Sequence, residues 1–139
     1  MYGACIRSVL LYGSETWAVT KKLEDLILRS DRRMIRLLCG VTLTMRIPSK
    51  DLLFNSGLVD IRQLIKRNRL RMFGHVVRRD PNEPLGKIYE LEAPGRRPPG
   101  RPKKSWNKNV EEDMREVSAT REEAMDRVNW RAITSRLTS

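Results

Sequence analysis

The sequence predicts an all-α protein in which two small helical parts are joined by an extended basic linker rich in proline, glycine and arginine. Apolar residues recur at three- and four-residue steps in most of the chain, as they do on one face of a helix. Four prolines and two glycines within residues 92–104 exclude regular structure there. The 139 residues are enough for one domain or two small ones, and we divide them into segments 1–40, 41–80, 81–104 and 105–139.

Residues 1–40 are predicted to form a helical pair. The apolar pattern predicts a first helix within residues 4–17, interrupted at Tyr12 and Gly13. Thr20 is a suitable N-cap for the second helix, and Gly40 is a suitable end for it. The apolar residues of this second helix lie at helical spacing: Leu23, Leu26, Ile27, Met34, Leu37 and Leu38.

Residues 41–80 predict a connector, a short helix and a long helix. Residues 41–48 alternate like a strand, but no partner strand is evident, so we expect an extended connector. Ser49 can cap a short helix over Lys50–Asn55, and Asp60 can cap a long helix over residues 61–79. The long helix has two largely apolar faces, which predicts packing against more than one neighbour. The faces are Ile61, Leu64, Ile65, Asn68, Met72 and Val76, and Leu70, Phe73 and Val77.

Residues 105–139 are predicted to form a C-terminal helical pair. Ser105 can cap the first of these helices, and we expect Trp106 to anchor it rather than to stack on a base. The pattern Thr120–Glu123 is a capping box, which predicts that the last helix begins there. Trp130 is expected to pack against the core of this part.

The positive charge of the chain is concentrated in its centre. The formal net charge is +11, and residues 61–109 hold 14 Lys or Arg against 4 Asp or Glu. This distribution favours a contact surface for a polyanion, with the long helix and the linker tracking phosphates of RNA or DNA. Arginines flank both sides of the helix. The predicted nucleic-acid-binding residues are Arg62, Lys66, Arg67, Arg69, Arg71, Arg78, Arg79, Arg96, Arg97, Arg101, Lys103 and Lys104.

The linker resembles an AT-hook, whose core is Arg-Gly-Arg-Pro between basic flanks. Residues 100–104 fit that pattern, but Pro99 stands in place of the first core arginine. Proline and glycine keep such a strand extended enough for a narrow minor groove, which attracts arginine. A flexible cationic tether and a nuclear-localisation patch are alternative uses of the same residues. A helix–turn–helix reader built around Gly57 is a weaker alternative, because the long helix is very apolar.

Catalytic chemistry is not predicted. His75 is the only histidine, and core packing or a backbone hydrogen bond is its expected role. The acidic groups Glu24-Asp25 and Glu111–Asp113 fit the first turns of helices better than a two-metal site. Zinc would need more ligands at close spacing than this chain offers. We therefore expect no enzyme activity, no metal or cofactor, and no small-molecule substrate.

The cysteines and the hydropathy pattern point to an intracellular protein. Cys5 and Cys39 each lie in an apolar helical pattern, which predicts two buried free thiols in a reducing compartment. No apolar run approaches the roughly 20 residues of a membrane span. The expected location is therefore nuclear or cytoplasmic, with no membrane partner.

Five blocks of this sequence resemble, in order, the region after the polymerase in non-LTR retrotransposon polyproteins. They are SVLLYGSETW at 8–17, LLCGV at 37–41, RLRMFGHVVR at 69–78, GRPKKSW at 100–106 and DRVNWR at 126–131. The resemblance spans nearly the whole chain. It implies that residues 1–40 correspond to the thumb of a reverse transcriptase or to its edge, and that the chain is a non-catalytic fragment that holds template RNA or target DNA.

The resemblance also carries a rival interpretation. The parent polyprotein would contain an endonuclease and a polymerase, and neither set of catalytic motifs occurs here. Apolar faces of this fragment would then contact polymerase domains that the chain lacks. In that case it would be a protein-interaction or structural remnant that needs those domains to fold.

Overall fold

The computed structural model describes residues 2–80, 82–84, 86–87 and 104–138. Every regular element in these residues is helical, which confirms the predicted all-α class. The predicted segment boundaries at residues 40, 80 and 104 stay predictions. The helices are α1 (Arg7–Leu10), α2 (Lys21–Leu38), α3 (Ser49–Ser56), α4 (Ile61–Val77), α5 (Trp106–Glu116) and α6 (Arg127–Arg136).

The first helix is shorter than the sequence predicts. A π-helical turn over Tyr2–Ile6 leads into α1, and the chain then reverses at Gly13, whose φ is +71°. A 3-10 turn over Ser14–Thr16 follows. Glycine suits this left-handed position because it has no Cβ. The predicted connector also holds a 3-10 turn, at Leu43–Met45.

Side-chain caps set the start of α2, α4, α5 and α6. The side chains of Thr20, Asp60 and Ser105 accept backbone hydrogen bonds at the starts of α2, α4 and α5, as predicted. Ser49 does not cap α3, because the helix begins at Ser49 itself and no side chain caps it.

The last helix begins later than the capping-box pattern predicts. The box does form, since the backbone N–H of Thr120 donates to Glu123 Oε2 at 2.8 Å. It closes only a turn, and α6 starts at Arg127. The cap of α6 is Asp126, whose Oδ1 accepts from the backbone of Val128 at 2.8 Å. A local hydrogen-bond pattern therefore marked a turn rather than a helix start.

The long helix α4 takes part in two hydrophobic clusters, which confirms that it packs against more than one neighbour. Its first half contributes Ile61 and Ile65 to a cluster with the 11–19 segment and α2. Its second half contributes Leu70 and Phe73 to a cluster with α5 and α6. A third cluster forms around Tyr2, Ile35 and Leu52. The N-terminal and C-terminal helices are thus both packed on α4.

Trp130 packs α6 against α4 at Gly74, where the absence of a side chain leaves room for the indole ring. Its indole Nε1 donates to the Leu70 carbonyl at 2.8 Å, and its ring lies 6.0 Å from that of Phe73. A Cβ on Gly74 would come within 2.4 Å of two atoms of the indole ring. Trp130 is 2% exposed, which confirms its predicted place in the core.

A buried ionic cluster fixes the N-terminus to α2. Arg7 donates from Nε and Nη2 to the two carboxylate oxygens of Asp31, at 2.9 and 2.7 Å. The hydroxyl of Tyr2 donates to Asp31 Oδ1 at 2.8 Å. Burial, with the neighbouring Asp31, raises the pKa of Tyr2 to about 12. Arg7 also donates to the carbonyl of Val59, so one cluster joins three parts of the chain.

Candidate nucleic-acid interface

A neutral seam of ion pairs runs along one side of α4, where α4 pairs with α2 and α5, and continues to Lys104 just before α5, which pairs within the α5 region. Four predicted nucleic-acid-binding cations each face one carboxylate there, so the charges balance. Three of the four carboxylates come from α5, in the acidic C-terminal part of the chain. The pairs are Arg62 with Glu24, Lys66 with Glu116, Arg69 with Asp113, and Lys104 with Glu112.

The prediction that Arg69 binds nucleic acid is wrong, because its side chain is buried. Its residue is 5% exposed, and Nη1 lies 2.6 Å from Asp113 Oδ2. Burial raises the pKa of Asp113 to about 6, against the opposing charges of Arg69 and Lys66. A guanidinium held inside the fold in this way cannot track phosphates on the surface. Sequence spacing could not reveal this, because it does not give the register between α4 and α5.

Three other predicted cations of the seam stay partly exposed but are paired. The Nε of Arg62 lies 3.2 Å from Glu24 Oε1, and Nζ of Lys104 lies 2.6 Å from Glu112 Oε2. Lys66 forms its pair with Glu116. Exposed pairs of this kind are weak, but each carboxylate repels an approaching phosphate. This side of α4 is therefore a poor polyanion surface.

The opposite side of α4 carries unneutralised arginines. Residues 67, 71, 75 and 78 fall on one face at about 100° per residue, and this face meets α6. An open groove of about 460 Å³ lies between the two helices. Its lining residues are Arg71, His75, Arg78, Arg127, Trp130, Arg131 and Thr134.

The arginines of this groove have few acidic neighbours. In residues 2–80, 82–84, 86–87 and 104–138, no carboxylate forms an ion pair with Arg71, Arg127 or Arg131. Arg78 donates from Nη1 to the carbonyl of Ala124, which holds its guanidinium without cancelling its charge. The groove is thus a concentration of positive charge on an exposed surface, unlike the neutral seam.

Two more predicted residues lie at the ends of the groove face. Arg67 donates from Nη1 to the hydroxyl of Thr138 at 3.1 Å, so its charge is also retained. Arg79 pairs with Glu83 at 3.2 Å, and its Nε lies 3.3 Å from His75 Nε2. His75 is exposed at this groove, whereas the sequence predicted core packing or a backbone hydrogen bond.

Sequence reasoning missed Arg127 and Arg131. They lie four residues apart and so share one face of α6, a signal that the spacing did contain. The overall charge of this segment hides the signal, because residues 110–139 hold 5 Lys or Arg against 7 Asp or Glu, which suggests an acidic segment. The structure brings these two arginines beside Arg71 and Arg78.

Most of the predicted linker cations lie outside the described residues, so the AT-hook-like motif stays a prediction. These cations are Arg96, Arg97, Arg101 and Lys103. Trp106 confirms its expected role as an anchor, because its Nε1 donates to the Glu15 carbonyl at 2.7 Å.

Two further findings limit the chemistry of the described residues. Cys5 and Cys39 are both exposed, which corrects the prediction of two buried thiols. Cys5 lies in the π-helical turn before α1, and Cys39 caps the C-terminal end of α2, where the apolar pattern of that helix has ended. No group of three or more potential metal ligands occurs in the described part of the chain.

No protein-family model, curated protein or solved structure matches this chain. The helices within the described residues are all too short or too polar to cross a membrane.

Proposed function

We propose that this chain is a non-catalytic nucleic-acid-binding fragment, similar to the C-terminal region of a non-LTR retrotransposon reverse transcriptase. The groove between α4 and α6 would contact the phosphate backbone of RNA or DNA. The observation that carries this proposal is the set of arginines from two helices that face one open groove without ion-pairing carboxylates in the described residues.

The chemistry of the groove suits phosphate. Guanidinium groups stay charged at all physiological pH values and donate in a planar fork that matches two phosphate oxygens. Arg71 and Arg78 come from one helix and Arg127 and Arg131 from the other, so a strand lying in the groove would be contacted from both walls. Backbone contacts of this kind give affinity without base specificity.

The linker would extend the same contact. Arg96, Arg97, Arg101 and Lys103 are part of the proposed interface on the basis of sequence alone. Arg62, Lys66 and Lys104 contribute less than the sequence predicted, because the seam pairs each of them. Arg69 is removed from the interface.

A salt titration tests the proposal. Affinity for a labelled duplex and for a labelled single-stranded RNA is measured by fluorescence anisotropy at increasing KCl. Several phosphate contacts predict a steep loss of affinity as salt increases. The slope of log affinity against log salt concentration should be about −0.9 per neutralised phosphate on duplex DNA and about −0.7 on a single strand. Binding that does not change with salt would contradict the proposal.

We place the protein in the nucleus or cytoplasm, where these polyanions occur.

The rival interpretation makes a different prediction. A remnant that needs missing polymerase domains would lose its helical signal gradually on heating. Because α4 contributes to two buried clusters, we expect a single cooperative transition by circular dichroism. A shallow, non-cooperative melt would favour the rival. The absence of catalysis is tested by incorporation and cleavage assays with added metal, in which we expect no activity.

A further inference from the structure

Helix α2 exposes leucines on the side that faces away from its core. Its buried side, which includes Ile27, Leu28 and Ile35, packs inside the protein. Leu26 and Leu37 are 56% and 73% exposed. Surface leucines aligned along one helix are typical of an interaction surface.

The exposed residues have the spacing of a coiled-coil seam. Steps of three, four, three and four residues separate five positions of α2, which is the a/d pattern of a heptad repeat. At about 100° per residue these positions fall within about 80° of one another. Ser30 is half-buried and the others are exposed. The seam is Leu23, Leu26, Ser30, Arg33 and Leu37.

One edge of this seam is basic. Lys22 and Arg29 lie seven residues apart beside the leucines, and both are exposed. Arg33 adds a third exposed cation inside the seam. The other edge holds Ile27 and Met34, which pack into clusters of the protein itself. A helix that docks here would therefore meet leucines at its centre and positive charge along one edge.

The charge pattern selects the partner. In an antiparallel pair of identical chains, Lys22 and Arg29 would face the same basic residues of the second copy. In a parallel pair they would face Ile27 and Met34, which are already packed. We propose that this seam docks an amphipathic helix of a partner protein, with leucine-like residues at its a and d positions and acidic residues along its edge. This surface is separate from the groove proposed above.

Synthetic peptides test this proposal on the whole chain. The test peptide contains several heptads with Leu at a and d and Glu at e and g, so that acid meets the basic edge in either orientation. The acidic edges also oppose pairing of the peptide with itself. A peptide of the same composition in scrambled order, and one with Lys at e and g, are the controls. Only the acidic heptad peptide is expected to bind, measured by fluorescence anisotropy.

Variants of the protein locate the binding. Leu26→Asp places a charge in the seam and is expected to weaken peptide binding about tenfold or more. Leu37→Asp should act in the same way. Val128→Asp makes the same change at an apolar residue of α6 that is 79% exposed, and should leave peptide binding unchanged. Circular dichroism checks that each variant keeps its helices, and duplex binding should persist in Leu26→Asp.

Other occupants give distinct results that would overturn the proposal. Equal binding of the scrambled acidic peptide would show that general charge attraction, and not the heptad pattern of the seam, accounts for peptide binding. Self-association of the chain that Leu26→Asp abolishes would assign the seam to a second copy. Vesicles of phosphatidylserine that bind in a Leu26-dependent way, with no peptide binding, would assign it to a lipid surface. If the unmodified chain binds the peptide but no duplex, the result contradicts the nucleic-acid proposal for the groove and leaves the peptide proposal intact.

Discussion

Asp113 is a carboxylate almost entirely removed from water, with Arg69 as its only hydrogen-bonding side chain in the described residues. Desolvation raises its pKa from 3.8 to about 6, even though Arg69 and Lys66 favour the charged form. Since the folded chain holds this proton more tightly than the unfolded chain, the contribution of Asp113 to stability is present below pH 4. It is lost as the pH rises from about 4 to about 6.

Asp113→Asn tests this balance. The destabilisation that it causes should shrink by about 2 kcal/mol as the pH rises from 4 to 6, because the neutral amide does not pay the desolvation of a charge. Urea unfolding of both chains at several pH values measures the difference. Glu112→Gln is the control, because it makes the matching change at an exposed acid of the same helix. A destabilisation that grows with pH would mean that the attraction of Arg69 outweighs burial.

At the alkaline end, Tyr2 predicts a second pH effect. Its pKa of about 12 lies above the usual 10.0, so the unfolded chain loses this proton first as the pH rises. The free energy of unfolding should therefore fall between about pH 10 and pH 12. Tyr2→Phe should reduce that fall, as measured by urea unfolding across this range. An unchanged alkaline slope in the variant would contradict the assigned environment of Tyr2.

At the scale of elements, the contact between α4 and α6 depends on Gly74. Alanine at an exposed helical site stabilises by about 1 kcal/mol over glycine. At Gly74 the new Cβ would collide with Trp130 and displace the indole from the Leu70 carbonyl, so we expect a net loss of about 1–3 kcal/mol. Urea unfolding measures it. His75→Ala, on the exposed side of the same turn, should change stability by less than about 0.5 kcal/mol. A stabilised Gly74→Ala chain would contradict the packing.

The elements were predictable where the signal is local. Thr20, Asp60 and Ser105 cap their helices as the sequence indicates, because a cap needs only residues a few positions apart. Residues 120–123 show the limit of this reasoning. Their capping box forms but leads into a turn, since Asp126 offers a second cap and the backbone of Ala124 is needed by Arg78.

At the scale of the whole molecule, the charge count predicted a basic surface but placed it on both sides of α4. Which side stays positive depends on α5, whose acids reach Lys66 and Arg69, and on α6, which brings Arg127 and Arg131 to the other side. These are contacts between residues more than 40 positions apart, and no periodicity within one helix encodes them. The fold class was therefore predictable, while the position of the candidate site required the packing of the helices.

The central claim is that the groove between α4 and α6 contacts phosphate, and that the neutral seam of ion pairs on the opposite side of α4 does not. Two double variants, each of which removes two positive charges, compare these two sides of α4. The groove variant combines Arg71→Ala with Arg131→Ala, and the seam variant combines Arg62→Ala with Lys66→Ala. In about 0.1 M salt, charges beyond about 10 Å are largely screened, so local contacts dominate. We predict that the groove variant loses at least about tenfold in duplex affinity and reduces the salt slope by about two, while the seam variant changes affinity by less than about threefold. Equal losses in both variants, or a larger loss in the seam variant, would contradict the account.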